Sequence, residues 1–192
     1  MALTTKLEAV NIMISVIGES PVNTLSGTSV PVTVTQAVHA LDETSKAIQS
    51  EGWHFNTEYD YPLVPDASTS KITLPLNTLK VDLDPEIYTD SDPVQRGTKL
   101  YDRKNHRETW TKDLKAIITF ELDFEELPEQ FRHYIAVKSA RIFAARFLGS
   151  REIEGFALRD EIEAKARAIE RDSENADRTI FDNYSVLRVL DR

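Results

Sequence analysis

From Leu127 to Gly155 the chain reads LPEQFRHYIAVKSARIFAARFLGSREIEG, with no helix breaker between Pro128 and Gly149. Proline has a fixed φ and no N–H, which suits the first position of a helix, and glycine is the favoured residue just past its end. Twenty residues at about 1.5 Å each make a rod of roughly 30 Å. Phe131, Ile135 and Ile142 mark one apolar stripe, and Tyr134, Val137, Ala144 and Leu148 mark a second beside it. So wide an apolar surface predicts a central helix packed on several partners, which the rest of the chain must cover.

The covering elements can be read from period and punctuation. Thr5 and Glu8 have capping-box spacing, and Leu7, Val10, Ile14 and Ile17 follow as one stripe, predicting a helix from Thr5 to Ile17 stopped by Gly18. ESPVNTLSGTSVP predicts a loop. Val34, Val38, Leu41, Ser45 and Ile48 predict a second helix from about Val32 to Glu51, stopped by Gly52. The period then changes to two: Trp53, Phe55, Thr57, Tyr59 and Tyr61 alternate with polar residues, predicting a half-buried strand closed by Pro62 and Pro65. Short alternating pieces follow at Ile72–Leu74 and Val81–Leu83. Tyr88 to Gly97 predicts a loop, and Leu100–Arg103 with Arg107–Trp110 predict a hairpin. The clearest strand is Ala116, Ile118, Phe120, Leu122 and Phe124, which leads directly into the long helix. A fourth helix is expected from near Ser150 to about Ala176, with Leu158, Ile162, Ala166 and Ile169 as its inner face.

These elements predict an α+β protein: a four-helix core from residues 1–52 and 125–176, an inserted antiparallel β-rich lobe at 53–124, and a C-terminal tail at 177–192. The tail's Val186, Leu187, Val189 and Leu190 need an apolar surface in this chain or another. A hydrophobic fraction of 41% and a charged fraction of 29% are those of an ordinary soluble globular chain. No apolar run is long enough to span a membrane, so no membrane anchor is expected, and no basic-then-apolar segment suggests a secretory signal. The absence of cysteine removes disulfides, thiolate metal sites and cysteine nucleophiles, and fits synthesis in a reducing compartment. The net charge of −9 argues against gripping nucleic acid over a broad surface.

Motifs that carry chemistry are missing. His39, His54, His106 and His133 share no ligand spacing, and neither a glycine-rich phosphate loop nor a GxSxG elbow occurs. No catalytic residue, cofactor or metal is therefore assigned. The one catalytic option left is a pair of carboxylates for glycoside hydrolysis, drawn from Asp82, Asp84 and Glu86 or from Glu121, Asp123, Glu125 and Glu126. An acidic chain forms such clusters by chance, and Glu125, Glu126 and Glu129 sit where a helix N-terminus favours negative charge. Arg132, Lys138, Arg141, Arg146 and Arg151 point in several directions at 100° per residue, so they make no phosphate-binding stripe. Arg132, Arg141, Arg146 and Arg151 read instead as an exposed rim or subunit contact, with acidic chains as partners.

GWHFN (Gly52 to Asn56), KLYDR (Lys99 to Arg103), ELPEQFRHYI (Glu126 to Ile135) and RFLGSREIEG (Arg146 to Gly155), with IGESPVNTL (Ile17 to Leu25) near the start, resemble tail tubular protein A of short-tailed, podovirus-type bacteriophages. The resemblance covers nearly the whole chain and leaves Asp66 to Val94 without a counterpart. It implies a structural virion protein made in the host cytoplasm and placed in the tail. There it would form a twelve-membered homo-oligomeric ring, a head-to-tail adaptor between the portal protein and the tail nozzle protein, through which DNA passes without specific binding. It also implies a helical bundle with a β-rich lobe and no catalytic residues. The interface set suggested by the residues is Arg132, Arg141, Arg146 and Arg151 with Val186, Leu187, Val189 and Leu190. A polysaccharide-degrading glycoside hydrolase activity carried by a tail component is the alternative.

Overall fold

Residues 3–27, 30–148 and 151–176 are described by a computed structural model of the chain. It is an α+β protein with four α-helices and two antiparallel sheets among those residues. Two compact units form: one runs to Ser45 and resumes at Asp123, and the other is Lys46–Leu122.

The helical unit is built on α1 (Lys6–Val16), the start of α2 (Val32–Gln49), α3 (Glu129–Leu148) and α4 (Arg151–Asn175). Thr5 caps α1 through the expected box, its hydroxyl accepting from the Glu8 N–H while the Glu8 carboxylate accepts from the Thr5 N–H. At the other end Gly18, at φ 82°, lets the Glu19 N–H reach the Ile14 carbonyl and its own N–H reach Ser15. That double closure satisfies two carbonyls the helix would otherwise leave open. Asn11 then pins the following loop by bonding both the N–H and the carbonyl of Val22. α3 is the centre: it packs on α1 and on α4, and Phe131, Tyr134, Ile135, Ala136, Ser139, Ala140, Phe143 and Ala144 are all buried. α2 is tied to α1 by Lys6–Asp42 at 2.6 Å and to α3 by Arg146–Glu43 at 3.3 Å.

One helix turns the other way from its sequence pattern. The inner face predicted for α4 was Leu158, Ile162, Ala166 and Ile169, yet the structure buries Ala164 and Ala168 and exposes those four. The side chains at 164 and 168 are small, which lets α4 lie close against α3. The larger side chains at 158, 162 and 169 then have no cover among the described residues.

In the second unit, β1 (Thr57–Leu63), β5 (Leu114–Phe120) and β2 (Thr78–Leu83) form an antiparallel sheet in the order β1-β5-β2. β3 (Pro93–Arg96) and β4 (Lys99–Asp102) form a separate hairpin. Its core joins Leu63, Ile72, Leu74, Leu100, Trp110, Ala116 and Ile118. Both ends of the unit are held by two buried amides. The Gln49 side chain donates to the Leu122 carbonyl and accepts from its N–H, while Asn56 donates to the carbonyls of Gln49 and Phe120.

Several strand expectations need correction. His54–Asn56 is a 3-10 turn, so the strand predicted from Trp53 starts only at Thr57. A bulge between Glu58 and Tyr61, with Asp60 at φ 55°, breaks the alternation and leaves Tyr59 exposed. Pro62 does not end the strand. It sits inside β1, where an edge position tolerates its missing N–H. Part of the predicted loop from Tyr88 to Gly97 is β3, which pairs with β4 across the two-residue turn Gly97-Thr98, Gly97 having φ 61°. Arg107–Trp110 is thereby displaced as β4's partner and keeps isolated bridges, Arg107 to Asp102 and Thr109 to Lys71. β5 stops at Phe120, and Phe124 is buried in a 3-10 turn, Phe124–Glu126, ahead of α3.

Candidate functional site

The arginines of α3 differ in what they hold. Arg132 is buried, and it donates to three backbone carbonyls, those of Leu127 at 2.7 Å, Thr4 at 2.9 Å and Glu125. Glu129 completes this junction by accepting from the Thr4 N–H and hydroxyl. Together they fasten the segment before α1 to the start of α3. Arg141 is half-buried and pairs with Glu161 of α4. Arg146 is exposed and reaches Glu43 at 3.3 Å, so its pair is open to solvent and weak. The Arg151 side chain and Val186, Leu187, Val189 and Leu190 lie outside the described residues, as does the Gly149–Ser150 link between α3 and α4.

The helical unit leaves several large apolar side chains exposed, Leu3, Val32 and Phe147 singly and others in groups on α4 and α1. On α4, Leu158, Ile162 and Ile169 are 46%, 62% and 44% exposed. At 100° per residue they fall within one narrow stripe, with Arg159 exposed at its edge. On α1, Ile12 and Val16 are 44% and 41% exposed and share a face with exposed Glu8. The spacing of the α4 residues was legible in the sequence, and only its direction was misassigned. The α1 pair was not singled out, since Leu7, Val10 and Ile14 already supplied an inner stripe.

The candidate carboxylates have other work. Asp82 accepts from the Leu83 N–H within β2, and Asp84 accepts from the Glu86 N–H in the turn that follows. Glu121 pairs with Lys46, Glu125 accepts from the Lys6 N–H, and Glu126 caps the Asp123 N–H. A cavity of about 200 Å³ in the β unit is lined by Tyr88, Asp90, Arg107, Trp110 and Lys112 among others. Asp90 is the one carboxylate in that lining, whereas glycoside hydrolysis needs two across a sugar cleft. Trp110 is buried with its indole N–H on the Leu100 carbonyl, so it offers no sugar platform. Among the described residues no group of three His, Asp or Glu could hold a metal ion, and no helix is long and apolar enough to cross a membrane.

Two acids of this unit were missed from the sequence because nothing in their spacing marks them. Asp102 is fully buried at the end of β4. Burial pushes its carboxyl up. The Asn105 side chain, the N–H groups of Asp92 and Asn105, and Arg107 outweigh that and hold it below the ordinary range. Asp66 is exposed, and one of its oxygens accepts from the hydroxyls and N–H groups of Ser68 and Thr69, which lowers its pKa to about 2. Both acids organise backbone turns. Near them the Lys71 ammonium, bonded to Glu108 at 2.7 Å, lowers that carboxyl, with Lys99 and Arg96 adding to it.

The arrangement is one of scaffolding: acids close turns, buried amides join segments, and apolar helix faces are left for contact. Comparison with known proteins agrees with that character. No curated protein matches the chain. The family model described as tail tubular protein matches residues 7–178, which spans both units apart from their outermost ends. The chain therefore belongs to the tail tubular protein family, the structural components of the virion tail in short-tailed phages.

Proposed function

We propose that this tail protein is a head-to-tail adaptor, a ring of identical subunits between the portal and the tail nozzle through which the genome is ejected. The observation that carries the reading is the helical unit's apolar surface on α4, which none of the described residues covers, in a chain whose family is structural. Soluble monomers keep such patches small, and a row of large apolar side chains on one helix is a place for contact. Each subunit brings a net charge of −9. Where that charge lines the passage, DNA phosphates are repelled from the wall, and the strand slides without being held. A ring structure with a predominantly basic lumen would overturn the low-friction passage while leaving the adaptor role. Arg146, exposed and weakly paired with Glu43, is available to a neighbour's carboxylate, and the apolar tail residues Val186 to Leu190 supply a second contact to the portal or to an adjacent subunit.

Negative-stain imaging of the full chain, alone and mixed with the portal protein, tests the proposal. Rings or portal-bound caps are expected. Monomers in both samples would overturn it.

A further inference from the structure

The cavity of the β unit has walls that are tied down and polar groups that are not. One wall is the stretch 88–91. The Lys104 ammonium donates to the Thr89 carbonyl and the Asn105 amide to the Asp90 carbonyl, while the Tyr88 hydroxyl accepts from the Lys115 N–H. The other wall, 107–112, is held by paired backbone bonds between Arg107 and Asp102 and by the Trp110 N–H on the Ser70 carbonyl. The buried side chains of Trp110 and Leu114 complete the lining. Within it, Lys112 and the Asp90 carboxylate hold no hydrogen bond or ion pair among the described residues. Arg107 pairs with Asp102 through Nε at 3.5 Å, and its terminal nitrogens hold no bond among those residues. Tyr88 still has its hydroxyl proton to donate, and Ser91 and Thr111 add two more hydroxyls.

Two cations beside one carboxylate suit neither a bare metal ion nor an apolar molecule. They suit a ligand that brings an acid group for the cations and hydroxyls for the carboxylate. A space of about 200 Å³ lies below the roughly 300 to 1,000 Å³ of pockets for drug-sized ligands, so that ligand is of monosaccharide size. We propose that the cavity binds a small hydroxylated carboxylic acid, the chemistry of a sugar acid, with Arg107 and Lys112 on its carboxylate and Asp90 on its hydroxyls. Binding here involves no hydrolysis, since Asp90 is the one carboxylate in the lining. The site lies within one unit and does not depend on the ring reading.

The test mixes the full chain with D-glucuronate and follows saturation-transfer NMR on the ligand, which serves for a monomer or a ring. D-Glucose lacks the acid and acetate lacks the hydroxyls, so each is expected to bind about tenfold more weakly or worse. Lys112→Gln and Asp90→Ala change exposed side chains, and circular dichroism checks that both keep the fold. Each should weaken glucuronate by about tenfold, and Asp90→Ala should leave acetate no weaker. Lys80→Gln removes an exposed lysine outside the lining and should change nothing. The methyl glycoside of glucuronic acid separates two sources of one chemistry: binding retained points to a residue of an acidic polysaccharide, and binding lost to a free acid. Glucose or acetate binding as well as glucuronate would overturn the proposal. So would unchanged affinity in Lys112→Gln, or no transfer to glucuronate at millimolar concentration.

Discussion

Arg132 shows how a residue's type misleads until its neighbours are known. An arginine on a long helix of an acidic chain reads as a surface cation, yet its donors are spent on the carbonyls of Leu127, Thr4 and Glu125. Arg132→Met keeps the stem and removes the donors, leaving the three carbonyls without their partner. The expected loss is about 2 to 4 kcal/mol, read from the urea midpoint, on the scale of charged hydrogen bonds. A loss no larger than that of an exposed arginine variant would show that water replaces the guanidinium. Asp102 plays the same part in the β unit, and Asp102→Ala strands the N–H groups of Asp92, Lys104 and Asn105. We expect about 2 to 3 kcal/mol of destabilisation in the same measurement, against a near-neutral result if the turn rearranges.

Asp66 gives a pH signature. Its folded pKa of about 2 lies below its ordinary 3.8. Its contribution is therefore fully present above the unfolded value, and it fades as pH falls from there through about 2. Carbon-detected NMR of the side-chain carboxyl should show a midpoint near 2. A midpoint near the ordinary value would mean that the bonds from Ser68 and Thr69 do not persist in solution.

At the scale of elements, the orientation of α4 decides the most. Periodicity reports that a helix has an apolar face, and it cannot say whether that face meets its own core or another molecule. Here the tertiary contact takes the small residues inward. Ala168→Leu should then overpack the contact and cost about 1 to 3 kcal/mol. Ile162→Ala should change monomer stability by less than about 0.5 kcal/mol. The reverse order in thermal unfolding of a dilute sample would show that the sequence-based face was right. Strands fail differently: in β1 a bulge and a proline interrupt an alternation that the residue types alone kept intact. Those types still carried the correct lobe, because five consecutive matches at Ala116 to Phe124 outweigh a misplaced end.

For the whole molecule, the central prediction concerns assembly rather than fold. Removal of residues 184–192 is expected to leave the helical and β units folded while weakening ring formation or portal binding, measured by sedimentation alone and with portal. Unchanged assembly would show that the tail is dispensable for contact.

The residue pattern by itself determined the helix α3, its capped neighbour α1, the insertion of a β lobe between two pairs of helices, and the family resemblance spread over five motifs. Each is written in local spacing, where a cap, a glycine or a period of two acts within a few residues. Only the tertiary structure decided which way α4 faces, that Gln49 and Asn56 clamp the β unit, and that Asp102 is buried. Those outcomes depend on groups 60 or more positions apart in two of the clamp bonds, Gln49 to Leu122 and Asn56 to Phe120, or on the packing of one helix against another. No spacing along the chain encodes such a meeting, because the free energy belongs to the contact and not to either residue.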